Sequence, residues 1–173
     1  MDRRHRVTIL TLYLALPLTL CVVLDQALKT LARQHLRGEP PILLLGGIVE
    51  LWYGKNPGAF LGLGAGLPAW ARFWLFTILV GIGLAVVLIV AIASPNLTRS
   101  LALGVALTVG GGLGNLIDRL RFDGAVIDYI RIGIGRLRTG VFNLADVALI
   151  IGLVLIAMQL GEDQEDESES PAP

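Results

Sequence analysis

The strongest constraint on this chain is a set of four separate apolar blocks. Each is close to the roughly 20 residues that a helix needs to cross the hydrocarbon core of a bilayer. They run from about Val7 to Leu28, Trp70 to Ala93, Leu101 to Leu120 and Phe142 to Leu160. A backbone in lipid must satisfy its own hydrogen bonds, so blocks of this kind are helices. Hydrophobic residues make up 54% of the 173, against about 45–50% in a soluble domain. The excess lies in the spans, not in one globular core. The expected fold class is an all-α membrane protein with four transmembrane helices and a small β or loop element outside the membrane.

The first block carries Pro17, which membrane helices tolerate. Arg3, Arg4 and Arg6 precede it, as in a cleaved signal peptide, but the block is long for that role and lacks a small-x-small cleavage site. Leu18-Thr19-Leu20-Cys21 faintly resembles a lipobox, with Leu20 where that motif requires a small residue. Cys21 is read as a packing residue. The second block ends at the turn signal Ser94-Pro95-Asn96. The third contains Gly104, Gly110, Gly111, Gly112 and Gly114, which can let neighbouring helices approach closely.

Between the first two blocks, Ile42 to Trp52 reads as short strands or an interfacial element. Gly46 and Gly47 break it, and Gly54, Asn56, Pro57 and Gly58 follow. A second connection, Arg121 to Val141, mixes charges and glycines around an apolar run at Ile127–Ile130. Residues 161–173 are acidic and lack a large apolar side chain, which predicts a disordered tail after a four-helix membrane-spanning domain of residues 1–160.

Net charge is zero, so no basic field points to nucleic acid. Cys21 is the only cysteine, and His5 and His35 are the only histidines. A disulfide framework, a histidine-based triad and a zinc site are not expected, and neither is a metal or other cofactor. Four spans put both termini on one side. Arg3, Arg4, Arg6 and Arg99 lie there, and the other ten Lys and Arg lie opposite. A plain count places the termini outside, whereas the N-terminal arginine cluster of a first helix often dominates; charge alone leaves the orientation open.

Ionisable groups at membrane helices are costly, so each is a functional candidate. Five polar groups gather at one end of the bundle when the chain is followed up and down. Asp25 and Lys29 close the first helix at i,i+4. Asn56 and Gly58 lie in the first loop. Asn115, Asp118 and Arg119 end the third helix, where Asp118 can pair locally with its neighbours. Asp128 lies in the second connection, and Asn143 and Asp146 open the fourth helix. Each has a bland explanation alone: Asn143 with Asp146 three residues on is also what an ordinary helix cap looks like. Their convergence is what argues for a site. Hydrolysis would then fall to paired carboxylates, one protonated and one acting as base on water. Chemistry does not choose which two of Asp25, Asp118, Asp128 and Asp146 form the pair.

These residues resemble the lipoprotein signal peptidase, or signal peptidase II, family. The resemblance rests on Asp25-Gln26 with Lys29, Asn56-Pro57-Gly58-Ala59-Phe60, the run Gly111 to Arg119, Val126-Ile127-Asp128-Tyr129, and Phe142-Asn143-Leu144-Ala145-Asp146. It implies a four-helix aspartyl endopeptidase of the bacterial inner membrane. The substrates would be prolipoproteins, cut before a diacylglyceryl-modified cysteine, with membrane lipid as the other partner. It implies that Asp128 and Asp146 are the catalytic pair. Asp25, Lys29, Asn56, Gly58, Asn115, Arg119 and Asn143 would line or hold the site, with Asp118 a supporting acid. It also implies cytoplasmic termini and a site near the outer leaflet. Two positions depart from the family pattern: Pro57 stands where Thr is common, and no proline precedes Phe142. A transporter is a rival reading, but Val80–Val90 and Leu149–Leu155 contain no ionisable residue to carry a path across the midplane. A non-catalytic assembly factor docking through the Gly-rich helix gives no reason for a carboxylate pair.

Overall fold

A computed structural model describes the backbone of residues 2–169 and the side chains of residues 2–161. Four helices are long and apolar enough to cross a membrane: α1 (Arg3–His35), α2 (Ala69–Ala93), α3 (Arg99–Arg121) and α4 (Leu144–Glu169). Helix α1 continues through Pro17, and its turns widen to an i→i+5 pattern over Ile9–Ala15 just before the proline. Thr98 caps α3, its hydroxyl accepting from the Leu101 N–H at 3.1 Å. The acidic tail expected at 161–173 lies, beyond Gly161, outside the residues whose side chains are described.

Helix α3 is the hub. In its most apolar stretch 61% of residues are buried, against 22% or less in the other three helices. The outer helices turn Leu16, Leu20, Val23, Leu79, Ile82, Ile89, Val154 and Met158 outward, as a bilayer requires. Three consecutive glycines let α3 meet three partners, because successive residues on a helix point about 100° apart. A methyl group on Gly110 would press on Cys21 of α1, and one on Gly112 would lie 2.6 Å from the Leu84 side chain of α2. On Gly111 it would collide with the Ala145 carbonyl of α4. The close approach anticipated for this glycine run is thus used in three directions at once.

Outside the bundle the chain forms an antiparallel sheet in the order β1 (Ile42–Leu44), β2 (Val49–Asn56), β3 (Val126–Ile134), β4 (Leu137–Arg138). The first connection supplies the strands expected there, and the second adds two more. Tyr129, Leu51, Tyr53 and Ile130 pack the sheet on Ala32 and Leu36 at the end of α1. Glu50, buried on β2, takes ion pairs from Arg131 on β3 and Arg138 on β4 and clips three strands together. A register shift between Leu51 and Gly54 brings Gly54 opposite Asp128, so β3 delivers that aspartate to the end of the bundle.

Candidate active site

All ten residues singled out from the sequence meet at the sheet end of the bundle, in two joined networks. The first is centred on Lys29, which is 2% exposed. Its ammonium has three protons and meets three acceptors: Asp25 Oδ2 at 2.8 Å, Asn115 Oδ1 at 2.8 Å and Asp118 Oδ2 at 3.1 Å. Further donors reach the same carboxylates. Asp25 Oδ1 accepts from the Ala145 N–H of α4 at 3.1 Å, and Asp118 Oδ2 accepts from the Ile127 N–H ahead of β3 residue Asp128 at 3.0 Å. Asp118 Oδ1 accepts from Gln26 Nε2 at 3.2 Å. This ion cluster pins α1, α3, β3 and the start of α4 to one another. Asp118 pairs with Lys29 and not with its sequence neighbour Arg119, because adjacent residues on a helix point different ways.

The second network holds the other two aspartates. Asn143 caps α4, and Asp146 stands three residues on. The Asp146 N–H donates to Asn143 Oδ1 at 2.9 Å, and the Asn143 N–H donates to Asp146 Oδ2 at 3.2 Å, a reciprocal capping box. The bland reading of this pair is therefore correct as far as it goes. The Asn143 amide does more: its Nδ2 donates to Asp128 Oδ1 at 2.7 Å and to Asn115 Oδ1 at 3.1 Å. Asp128 Oδ2 accepts from Asn56 Nδ2 at 3.0 Å, and Asp146 Oδ1 accepts from Asn115 Nδ2 at 2.8 Å. Both carboxylates are buried, and among the described residues their hydrogen-bond donors are amides. Burial first, and the Asp146 charge second, push Asp128 up to about 7, against the pull of Asn56, Asn143 and Lys29. Burial also raises the neighbouring Tyr129 phenol.

The first loop closes over this pair. Asn56 Oδ1 accepts from the Gly58 N–H at 2.9 Å and Asn56 Nδ2 donates to the Ala59 carbonyl at 2.9 Å, folding the chain tightly around Pro57. Only glycine fits at 58, since a Cβ there would lie 2.6 Å from the Leu63 carbonyl. Arg119 donates from Nη2 to the Gly58 carbonyl at 3.0 Å and lies over the Phe76 ring of α2. Gln26 is the residue sequence reasoning undervalued: it stood only as part of a motif, yet it links Asp118 to the Gly114 carbonyl of α3.

Cavities reach the two carboxylates from different sides. Asp128 lines a cavity of about 650 Å³ walled by β2 and the Pro57–Gly62 loop. Asp146 lines two apolar grooves on either side of Phe60. One, about 230 Å³, runs along Val147, Ile150 and Ile151; the other, about 380 Å³, lies between Phe76 and Val80 of α2 and Leu149 and Leu153 of α4. Among the described residues no three His, Cys, Asp or Glu side chains converge in a set that could hold a metal ion.

Known proteins resemble this chain in sequence and in fold. Residues 18–161 match the model of the family described as signal peptidase (SPase) II. A lipoprotein signal peptidase of Syntrophus aciditrophicus is 32% identical, covering 86% of this chain and 92% of that protein. One of Moorella thermoacetica is 36% identical, with 82% and 87% covered. One of Leifsonia xyli is 35% identical, with 98% and 82% covered. Two solved structures described as bacterial membrane enzymes superpose on the chain. One has a TM-score of 0.76 at 26% identity, covering 91% of this chain and 93% of that one. The other has a TM-score of 0.71 at 25% identity, covering 84% and 90%.

Proposed function

The chain belongs to the signal peptidase II family, and from that premise we propose that it is an intramembrane aspartyl endopeptidase. It removes signal peptides from prolipoproteins by cutting before the diacylglyceryl-modified cysteine, with Asp128 and Asp146 as its catalytic pair. The observation that carries this assignment is the double grip of Asn143. Its side chain holds one carboxylate and its backbone N–H the other, where an open cavity meets two apolar grooves. Amide donors fix the geometry of the pair without neutralising it with a cation, which leaves a proton to be shared.

The chemistry then runs in two steps. Asp128, held at about 7, carries the shared proton near neutral pH. Asp146, at the N-terminus of α4, takes a proton from water as the water oxygen attacks the scissile carbonyl. Asp128 gives its proton to the carbonyl oxygen, and a neutral tetrahedral diol results. Collapse of the diol breaks the C–N bond as Asp146 returns its proton to the leaving cysteine nitrogen and Asp128 recovers one from a hydroxyl. The products are the signal peptide carboxyl end and a free amino group on the lipidated cysteine. The two grooves beside Phe60 suit the two apolar parts of such a substrate, its signal helix and its acyl chains.

Purified protein in detergent should cleave a diacylglyceryl-modified precursor with no other component and leave the unmodified precursor intact. Absence of cleavage by well-folded protein would remove the assignment. The reading also puts both termini in the cytoplasm and the pair at the outer leaflet of the bacterial inner membrane. Reporter fusions after Leu160 and within residues 131–139 should then report opposite compartments, the former cytoplasmic. A C-terminal reporter found outside would reverse the placement.

A further inference from the structure

The cations at the sheet end divide into those that are committed and those that are not. Lys29, Arg131 and Arg138 close on carboxylates. Arg72 and Arg119 donate to loop carbonyls. Arg121 reaches Gln26, Arg33 meets only the Phe122 ring, and among the described residues Arg37, Lys55 and Arg136 close on neither a carboxylate nor a carbonyl; of these, Arg37 and Lys55 line a cavity. Among the described residues the side chain of Arg37 has no hydrogen-bond or ion-pair partner, and that of Lys55 meets only the Phe122 ring, 5.5 Å from its centroid. Both are exposed, and both line the cavity of about 650 Å³ that opens on Asp128. Asp128 is the only carboxylate among the described residues of that wall, and its oxygens are occupied by Asn56 and Asn143. The cavity therefore presents two unspent positive charges beside the pair.

Its position says what part of a substrate would enter. The grooves at Asp146 run along apolar faces of α2 and α4 at the level of the spans, where a signal helix and acyl chains belong. The cavity at Asp128 lies under β2, outside the bundle, where the chain beyond the cut must leave the membrane. We propose that Arg37 and Lys55 make this cavity a subsite for the residues that follow the lipidated cysteine, selecting acidic side chains there. The proposal rests on the endopeptidase reading above and adds a preference to it. Exposed ion pairs are individually weak, so the selection is modest: roughly 3- to 10-fold in kcat/KM between acidic and basic sequences. It weakens as salt screens the charges.

The test uses the full chain in a zwitterionic detergent and three diacylglyceryl-modified synthetic precursors. They differ only in the two residues after the cysteine: Asp-Asp, Ser-Ser or Lys-Lys. The wild-type protein should rank them in that order, with a ratio that shrinks at high salt. Arg37→Glu and Lys55→Glu should each lower the ratio of acidic to basic rates, and the double variant should invert it. The ratio is taken within each variant, so a general loss of activity does not mimic the effect. Equal cleavage of all three by wild type, or a ratio untouched in the double variant, would overturn the subsite. Cleavage of none by folded protein would instead overturn the endopeptidase reading on which it stands.

Discussion

Among the described residues four buried aspartates sit at one end of this bundle, and the structure treats them as two unlike pairs. Asp25 and Asp118 share the ammonium of Lys29, and both also take backbone or amide N–H groups. Asp128 and Asp146 are as deeply placed, yet their nearest donors are the amides of Asn56, Asn115 and Asn143. The first pair shares one cation and joins four elements; the second is oriented by neutral donors with no cation in direct contact. A saturated ion cluster resists change, whereas a carboxylate pair held only by neutral donors can gain and lose a proton. The difference in partners, more than in residue type or burial, is what sets the two pairs apart and what underlies the proposed division into structural and reactive acids.

The largest effect should fall on the pair with no cation in direct contact. Asp128→Asn and Asp146→Asn each should lower kcat by at least about 10²–10⁴-fold, since each removes a proton donor or base with little change of volume. The double variant should be scarcely worse than either single one, because the two act as a unit. The variants should still fold and bind precursor. A stable single variant cleaving at near wild-type rate would erase the contrast between the pairs.

Removing Lys29 attacks the other pair. Lys29→Met leaves two buried carboxylates without their cation, which costs about 3–5 kcal/mol and should unfold much of the protein in detergent. Asp118→Asn should lower thermal stability and activity together. If Asp118→Asn were fully stable and fully inactive, Asp118 would belong with the reactive pair.

Proton linkage gives a smaller and subtler signature. Asp128 titrates at about 7 in the folded protein, above its ordinary value of 3.8. Between those values the folded state keeps a proton that the unfolded chain has lost. Its contribution to stability is therefore full below about 4 and is lost as pH rises through about 7. Asp128→Asn should flatten the melting temperature over this range and raise it most at pH 8. An unchanged pH slope would mean that Asp128 is not the proton-holding member. The smallest effect is expected from deleting residues 162–173, which should leave cleavage within about two-fold, since that segment has little apolar surface with which to dock.

Hydropathy is a local property, so the four spans could be read from the sequence, although α1 runs on past the expected Leu28 to His35, where polar residues continue the helix. The polar cluster could also be read, because following the chain up and down brings Asp25, Asn115, Asp128 and Asp146 to one end. What could not be read depends on reach between distant residues. Lys29 reaches Asp118 and, 86 positions away, Asn115, and only the contact with Asp118 shows which second aspartate shares the cation. The same holds for Glu50, whose partners Arg131 and Arg138 lie 81 and 88 positions away. Strand β3 was hidden because its buried run, Val126 to Tyr129, does not alternate: successive residues are buried on both faces.

The cluster around Lys29 also ties three helices together in an order of dependence. Asp25 and Lys29 lie at i,i+4 on α1, so their ion pair needs no other helix. The glycines of α3 admit it against α1, and Asp118 and Asn115 add a second carboxylate and an amide to the ammonium. The oxygen of Asp25 that Lys29 does not use accepts in turn from the Ala145 N–H of α4. One residue further on, Asp146 is held by Asn115 and Asn143, so the polar contacts that seat α4 on α1 also set the position of Asp146 beside Asp128.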